Sequence, residues 1–118
     1  MTYPAPLKPT ISFSTFEAID VRVGTILAVN DVPGSNKLVR LRVDFADHQR
    51  SILAGLKKER PNMQELIGVQ TLFVVNLEPK KLMGELSEGI LFDIGYADGV
   101  VPVLAIPERL VPNGTRVG

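Results

Sequence analysis

The 118-residue chain has no cysteine, no tryptophan and one histidine, His48. Without thiols there is no disulfide framework, no thiolate nucleophile, and no zinc or iron–sulfur site of the kinds that need sulfur ligands. Stability must come from packing. Missing too is any apolar run near the roughly 20 residues of a membrane helix, and the Pro-punctuated start from Met1 to Thr10 holds no hydrophobic stretch of signal length. The expectation is a cytoplasmic protein without membrane insertion. Net charge is zero, with 13 Lys and Arg against 13 Asp and Glu, which argues against a general polyanion binder.

What is there describes one small domain. Hydrophobic residues make up 45% and charged residues 22%, far from the composition of disordered chains. At this length folding buries roughly two-thirds of the unfolded surface, enough for a single core. The zero total also hides an asymmetry. Residues 37–81 hold nine basic and five acidic side chains, so the remainder is acidic by the same margin.

The first residues carry Pro4, Pro6 and Pro9 and are expected to form a flexible tail over 1–12. Ser14-Thr15-Phe16-Glu17 has capping-box spacing and predicts one helical turn. Ile19, Val21, Val23, Leu27 and Val29 share one parity and predict a first strand with a bend or bulge at Gly24. Asp31 to Asn36 is a loop by composition. In Lys37 to Phe45 the apolar Val39, Leu41, Val43 and Phe45 alternate with polar residues, so a second strand there presents Arg40 and Arg42 about 7 Å apart on its other face. Ala46 to His48 closes a hairpin into a third strand, Gln49 to Ala54. Lys57 to Leu66 predicts a helix with Pro61 in its first turn. Leu72 to Val75 predicts a fourth strand, Glu78 to Lys81 a loop, and Gly89 to Ile94 a fifth strand.

Five strands with one helix between the third and fourth is the order of an all-β OB-fold barrel, assigned here to residues 13–94. Residues 95–118 form an extension in which Val100 to Ile106 is apolar while Pro102, Pro107 and Pro112 forbid a regular central strand. Such a segment either folds back on its own barrel or joins two copies, and dimerisation is the expectation.

Catalysis has few candidates. His48 sits in a predicted turn among polar neighbours, and with Asp44 and Asp47 it makes only a partial cluster. Ser51, Ser87 and Thr71 have no nearby histidine, and Gly84 to Gly89 lacks the lysine of a nucleotide loop. Neither an enzyme nor a cofactor is expected. Binding has more support, because an OB-fold places its groove over strands two and three and the neighbouring loops. Arg40 and Arg42 would face that groove, with Lys80 and Lys81 at its flank making phosphate contacts.

Ile19-Asp20-Val21-Arg22-Val23-Gly24-Thr25-Ile26, Asn36-Lys37-Leu38, Ala54-Gly55-Leu56 and Asn76-Leu77-Glu78-Pro79-Lys80-Lys81 with Ser87-Glu88-Gly89 resemble the tRNA-binding OB domain. That domain is appended to methionyl- and phenylalanyl-tRNA synthetases and also occurs alone as dimers. The resemblance implies a binding surface that includes Lys37, Asn76, Lys80, Lys81, Ser87 and Glu88. Among stand-alone members, the compact length and the Pro112-Asn113-Gly114 ending are most similar to the CsaA-type export chaperones. Val32-Pro33-Gly34-Ser35-Asn36 stands where tRNA-binding members usually carry His-Pro-x-Ala-Asp, and Met83 with Glu85 stands where a more basic loop is common. Met83, Leu82 and Leu86 are adaptable apolar contacts for a peptide. The resemblance therefore implies a homodimer that holds unfolded preproteins without ATP, with recognition of folded tRNA as the alternative.

Overall fold

In the computed structural model, which describes residues 3–118, the alternation over Val39 to Phe45 becomes the centre of the sheet. Strand β2 (Val39–Asp44) turns Val39, Leu41 and Val43 into the core, followed by buried Phe45. A turn bonded from Phe45 N to His48 O (2.9 Å) leads into β3 (Gln49–Ala54). With β1 (Val21–Asp31), β4 (Gln70–Val74) and β7 (Ile90–Leu91) the antiparallel order is β3-β2-β1-β4-β7. Ile26, Leu41, Val43, Ile52 and Phe73 are fully buried, each worth about 1.5–3 kcal/mol of removed apolar surface. Phe45 meets Phe73 edge-on at 5.6 Å.

Residues 87 and 88, just before β7, meet the edge of β3 through one main-chain and two side-chain bonds. Glu88 N donates to Ser51 O (2.9 Å), Ser51 N to Glu88 Oε1 (3.0 Å), and Leu53 N to Ser87 Oγ (2.9 Å). Side-chain oxygens thus take the place of ladder carbonyls along β3, so its edge is not left unpaired.

Several expectations need correction. The bulge in β1 lies between Ile26 and Ala28. Its extra residue flips the parity, so Ile26 is buried and Leu27, expected inside, is exposed. Gly24 instead answers close packing, since a Cβ there would lie 2.5 Å from Val43 Cγ1 and 2.9 Å from Phe45. Helix α1 (Phe13–Glu17) is capped by Ser12, which accepts from Thr15 N (3.1 Å), one turn edge earlier than the box at Ser14. The helix expected over Lys57 to Leu66 shrinks to a 3-10 turn, Met63–Leu66, capped by Asn62. Pro61 disfavours helical backbone at Arg60, and Gly68 (φ 90°) follows at once, leaving no room for a longer helix.

Lys80 and Lys81 lie on a hairpin where a loop was expected. Strands β5 (Lys80–Leu82) and β6 (Glu85–Ser87) pair only with each other, around a two-residue turn with Met83 at φ 51° and Gly84 at φ 80°.

The extension finds more places on its own barrel than its composition promised. Strand β8 (Asp93–Ile94) pairs with β9 (Val103–Leu104), and β10 (Arg116–Val117) pairs with Val21 and Arg22 of β1. Between them the segment is stitched down. Buried Gln70 donates to Val111 O (2.6 Å), Thr25 Oγ1 to Asn113 Oδ1 (2.7 Å), and Gly114 N to Val23 O (2.7 Å). Val101, Val103, Ile106 and Leu110 nevertheless remain exposed. Of the tail expected over 1–12, Met1 and Thr2 lie outside the described residues, and Tyr3 to Ser12 are all exposed. No helix among the described residues is long and apolar enough to cross a membrane.

Candidate nucleic-acid interface

Between the loop after β1 and the tip of the β5–β6 hairpin opens a cleft of about 730 Å³. Three local devices hold its walls. Ser35 Oγ accepts from Lys37 N (3.2 Å) and Leu38 N (3.0 Å), which fixes the loop as a small side-chain turn. Lys57 N donates to Lys37 O (3.0 Å) and Lys57 Nζ to Ser35 O (3.1 Å), joining that loop to the turn after β3. Tyr96 opens a 3-10 turn (Tyr96–Asp98) bracketed by Gly95 and Gly99, both in left-handed backbone. Leu38, Leu53, Leu56, Leu82 and Leu91 give the cleft an apolar floor, and its charged lining is Lys37 and Lys58 with Glu59 and Asp93.

The expected site residues divide into four groups. Lys37 and Met83 line the cleft, and Met83 is 55% exposed. Arg42, Lys80 and Lys81 are exposed, with Arg42 steadied by Gln49 Oε1 and Ser51 Oγ, both at 3.1 Å. Arg40 does not stand free: Nη1 donates to Glu85 Oε1 at 2.6 Å, beneath the hairpin.

The remaining three serve the fold. Asn76 accepts from Asp20 N (2.8 Å) and donates to Ala18 O (2.6 Å), pinning the junction of α1 and β1. Ser87 is buried, accepts from Leu53 N and donates to Gly89 O (3.0 Å), so its donor is spent and its hydroxyl faces inward. Glu88 uses a carboxylate oxygen on Ser51 N (3.0 Å). Of the apolar trio, Leu82 is half-buried in the cleft and Leu86 is exposed.

Tyr96 and Lys58 escaped the sequence reading. Lys58 was hidden inside a helix that does not form. Tyr96 had a signal that went unused, an aromatic between two glycines in Gly95-Tyr96-Ala97-Asp98-Gly99. Tyr96 is 64% exposed.

A second, polar cleft of about 400 Å³ surrounds His48. Arg50 Nε donates to His48 Nε2 (3.0 Å), so the ring proton sits on Nδ1 and points at Asp47 Oδ1 (2.6 Å). That hydrogen bond holds the Asp47 carboxyl below its ordinary range. Asp44 is engaged elsewhere, accepting from Ala46 N (2.8 Å). Beside it Asp20 takes a two-pronged contact from Arg22, at 2.6 and 3.0 Å, while Arg22 Nη1 reaches Gly114 O (3.2 Å). The hydrogen bonds from Arg22 lower the Asp20 carboxyl against the opposing effect of burial. The Asp-x-Arg-Val-Gly motif is therefore a strap that fastens the C-terminal segment to β1.

Comparison with known proteins supplies what geometry leaves open. The family model described as "Putative tRNA binding domain" matches residues 21–116. Methionine–tRNA ligase of Streptococcus pyogenes is 41% identical over 113 residues, covering 94% of this chain and 17% of the ligase. The Thermococcus kodakarensis ligase is 41% identical over 108 residues, covering 91% of the chain and 14% of the ligase. The chain thus spans about one-sixth of the length of the curated relatives it matches. Among solved structures, the MetRS related protein from Pyrococcus horikoshii aligns with a TM-score of 0.86 at 32% identity, covering 94% of this chain and all of that one. Chaperone CsaA from Bacillus anthracis aligns at 0.80 with 32% identity, covering 93% of this chain and all of that one. Strands β1 to β9 and the cleft walls fall within the matched span, and the chain belongs to the tRNA-binding domain family.

Proposed function

We propose that this chain is a non-catalytic RNA-binding module that grips folded tRNA at the cleft beside the β5–β6 hairpin. One observation carries this reading: an exposed tyrosine ring and two lysines share a single apolar-floored cleft. An unstacked base lies against the ring and floor, and its flanking phosphates take Lys37 and Lys58. Lys80, Lys81 and Arg42 extend the cationic surface toward the next phosphates. The family description and the tRNA substrate named for the matched ligases support the same partner.

A titration of folded tRNA against salt tests it. Binding should weaken steeply between low and physiological salt, and Lys37→Glu with Lys58→Glu should flatten that dependence by about two phosphate contacts. Salt-independent binding, or an unchanged slope in the double variant, contradicts the reading.

A second reading is favoured by the apolar floor and exposed Met83: capture of unfolded preproteins, without ATP, as in a CsaA-like chaperone. Likeness to CsaA of Bacillus anthracis, and at 28% identity to CsaA of Picrophilus torridus, supports it. Peptide capture of this kind should hardly respond to salt, and suppression of client aggregation should fall in Met83→Ser. In either reading two copies act together, joined through the exposed Val101, Val103, Ile106 and Leu110. A clean monomer by light scattering at micromolar concentration contradicts the homodimer.

A further inference from the structure

Arg40 and Leu53 are register partners on β2 and β3, and Arg42 and Ser51 are the next such pair. Their side chains therefore share the outer face of the sheet. The β5–β6 hairpin lies over part of that face, because Glu85 Oε1 is 2.6 Å from Arg40 Nη1 and Ser87 Oγ takes Leu53 N at 2.9 Å. The Ser87 bonds fix the hairpin at its root. Toward the tip its attachments are slight: the Arg40–Glu85 pair, and Met83, whose Cε lies 3.3 Å from where a Cβ on Gly34 would sit. Neither β5 nor β6 joins the main sheet. Arg40 has no other hydrogen-bond partner among the described residues.

We propose that Glu85 is a built-in competitor for the phosphate that Arg40 would otherwise bind, so that RNA exchanges the Arg40–Glu85 pair for an Arg40–phosphate contact and releases the tip of the β5–β6 hairpin. The proposal rests on the RNA-binding reading above. Its chemistry is one of near balance. The pair is 36% and 26% exposed, so solvent screens it and its breaking costs little. An arginine fork matches phosphate as well as it matches carboxylate. Once Arg40 turns to phosphate, the freed carboxylate is left beside a like charge, which drives the hairpin outward and widens the cleft mouth at Met83. Occupancy and hairpin position are thereby coupled, and Glu85 sets both the affinity and the salt dependence of the site.

The test is a binding titration of fluorescently labelled, unfractionated tRNA across salt, using the whole chain and its Glu85→Gln, Arg40→Gln and double variants. Glu85→Gln should tighten binding about three- to tenfold at moderate salt and steepen the salt slope by about one phosphate contact. In the Arg40→Gln background the same change should add nothing, because the two residues act as one unit. Hydrogen exchange of the amides over 80–87, read without RNA, should quicken in Glu85→Gln. Wild-type binding with no gain in Glu85→Gln overturns the exchange and leaves the RNA reading standing. So does an equal gain in the Arg40→Gln background, or from Glu78→Gln, either of which reduces the effect to general charge. No binding by wild type or by Glu85→Gln at low salt overturns both readings together.

Discussion

Gly24 and Gly114 press on the same aromatic residue from opposite ends of the motif set. A Cβ on Gly24 would stand 2.5 Å from Val43 Cγ1, and one on Gly114 would stand 2.7 Å from Phe45 O. Gly24→Ala should cost about 1–3 kcal/mol by overpacking. Gly114→Ala should cost more, because its φ of 85° is strained for alanine and the obstacle is backbone. Denaturant titration of both variants checks the order. Ser87→Ala leaves the buried Leu53 N without its acceptor and should cost about 1–3 kcal/mol with the binding surface intact. Asp20 gives a pH signature. Its folded-state pKa is depressed below the ordinary 3.8 by Arg22. The pair's contribution is therefore present in full above that ordinary value and lost as pH falls through the folded-state value. Asp20→Asn should flatten stability against pH in this acid window while changing little at neutral pH, where the half-exposed pair is worth about 1 kcal/mol or less. At this scale the sequence showed which residues matter but not why. Gly24 reads as a bend in any local window, whereas the constraint on it comes from Val43 and Phe45, 19 and 21 positions away.

Elements were legible where one face is buried and one is not. β2 stands where the alternation predicted it, because a slip by one residue would expose Leu41 and Val43, and β3 stands where the hairpin closed by Ala46 to His48 placed it. Legibility failed where tertiary contacts override local preference. The stretch from Lys57 to Leu66 has helix-forming residues, yet Pro61 keeps Arg60 out of helical backbone and Gly68 ends the segment, so only the Met63–Leu66 turn forms. The parity of β1 breaks at Leu27 because a bulge leaves no mark on a two-residue period. The extension misled for a different reason: its apolar content announces a need for cover, while its attachment rests on Gln70, Thr25 and Asn113, which look like ordinary polar residues in sequence. Deleting 111–118 strips Gln70 and Thr25 of those partners and β1 of β10. It should lower the thermal midpoint by about 4–8 °C or more, read by circular dichroism; an unchanged midpoint would show that the strap bears no load.

For the whole molecule, the asymmetric charge over residues 37–81 takes in both lysines that line the proposed cleft. Its cations are not equivalent once folded. Lys37 and Lys58 line the cleft, Lys57 is tied to Ser35 O at 3.1 Å, Arg40 is held by Glu85, and Arg50 reaches inward to Val75 O at 2.6 Å. Charge counting cannot separate these fates, since pairing is decided by residues far off in sequence. The proposed site centres on the mouth between the 34–38 loop and the hairpin tip, beside the outer face of β2 and β3. Tyr96, just after β8, also lines the cleft, so in the proposed reading the first residues of the extension join the binding surface. The most direct measurement is a backbone amide NMR titration of the isotopically labelled chain with folded tRNA. The account expects the largest shifts at 34–38, 54–58, 82–84 and 95–97. Shifts confined to the cleft around His48 and Arg50, or none at all, would contradict it.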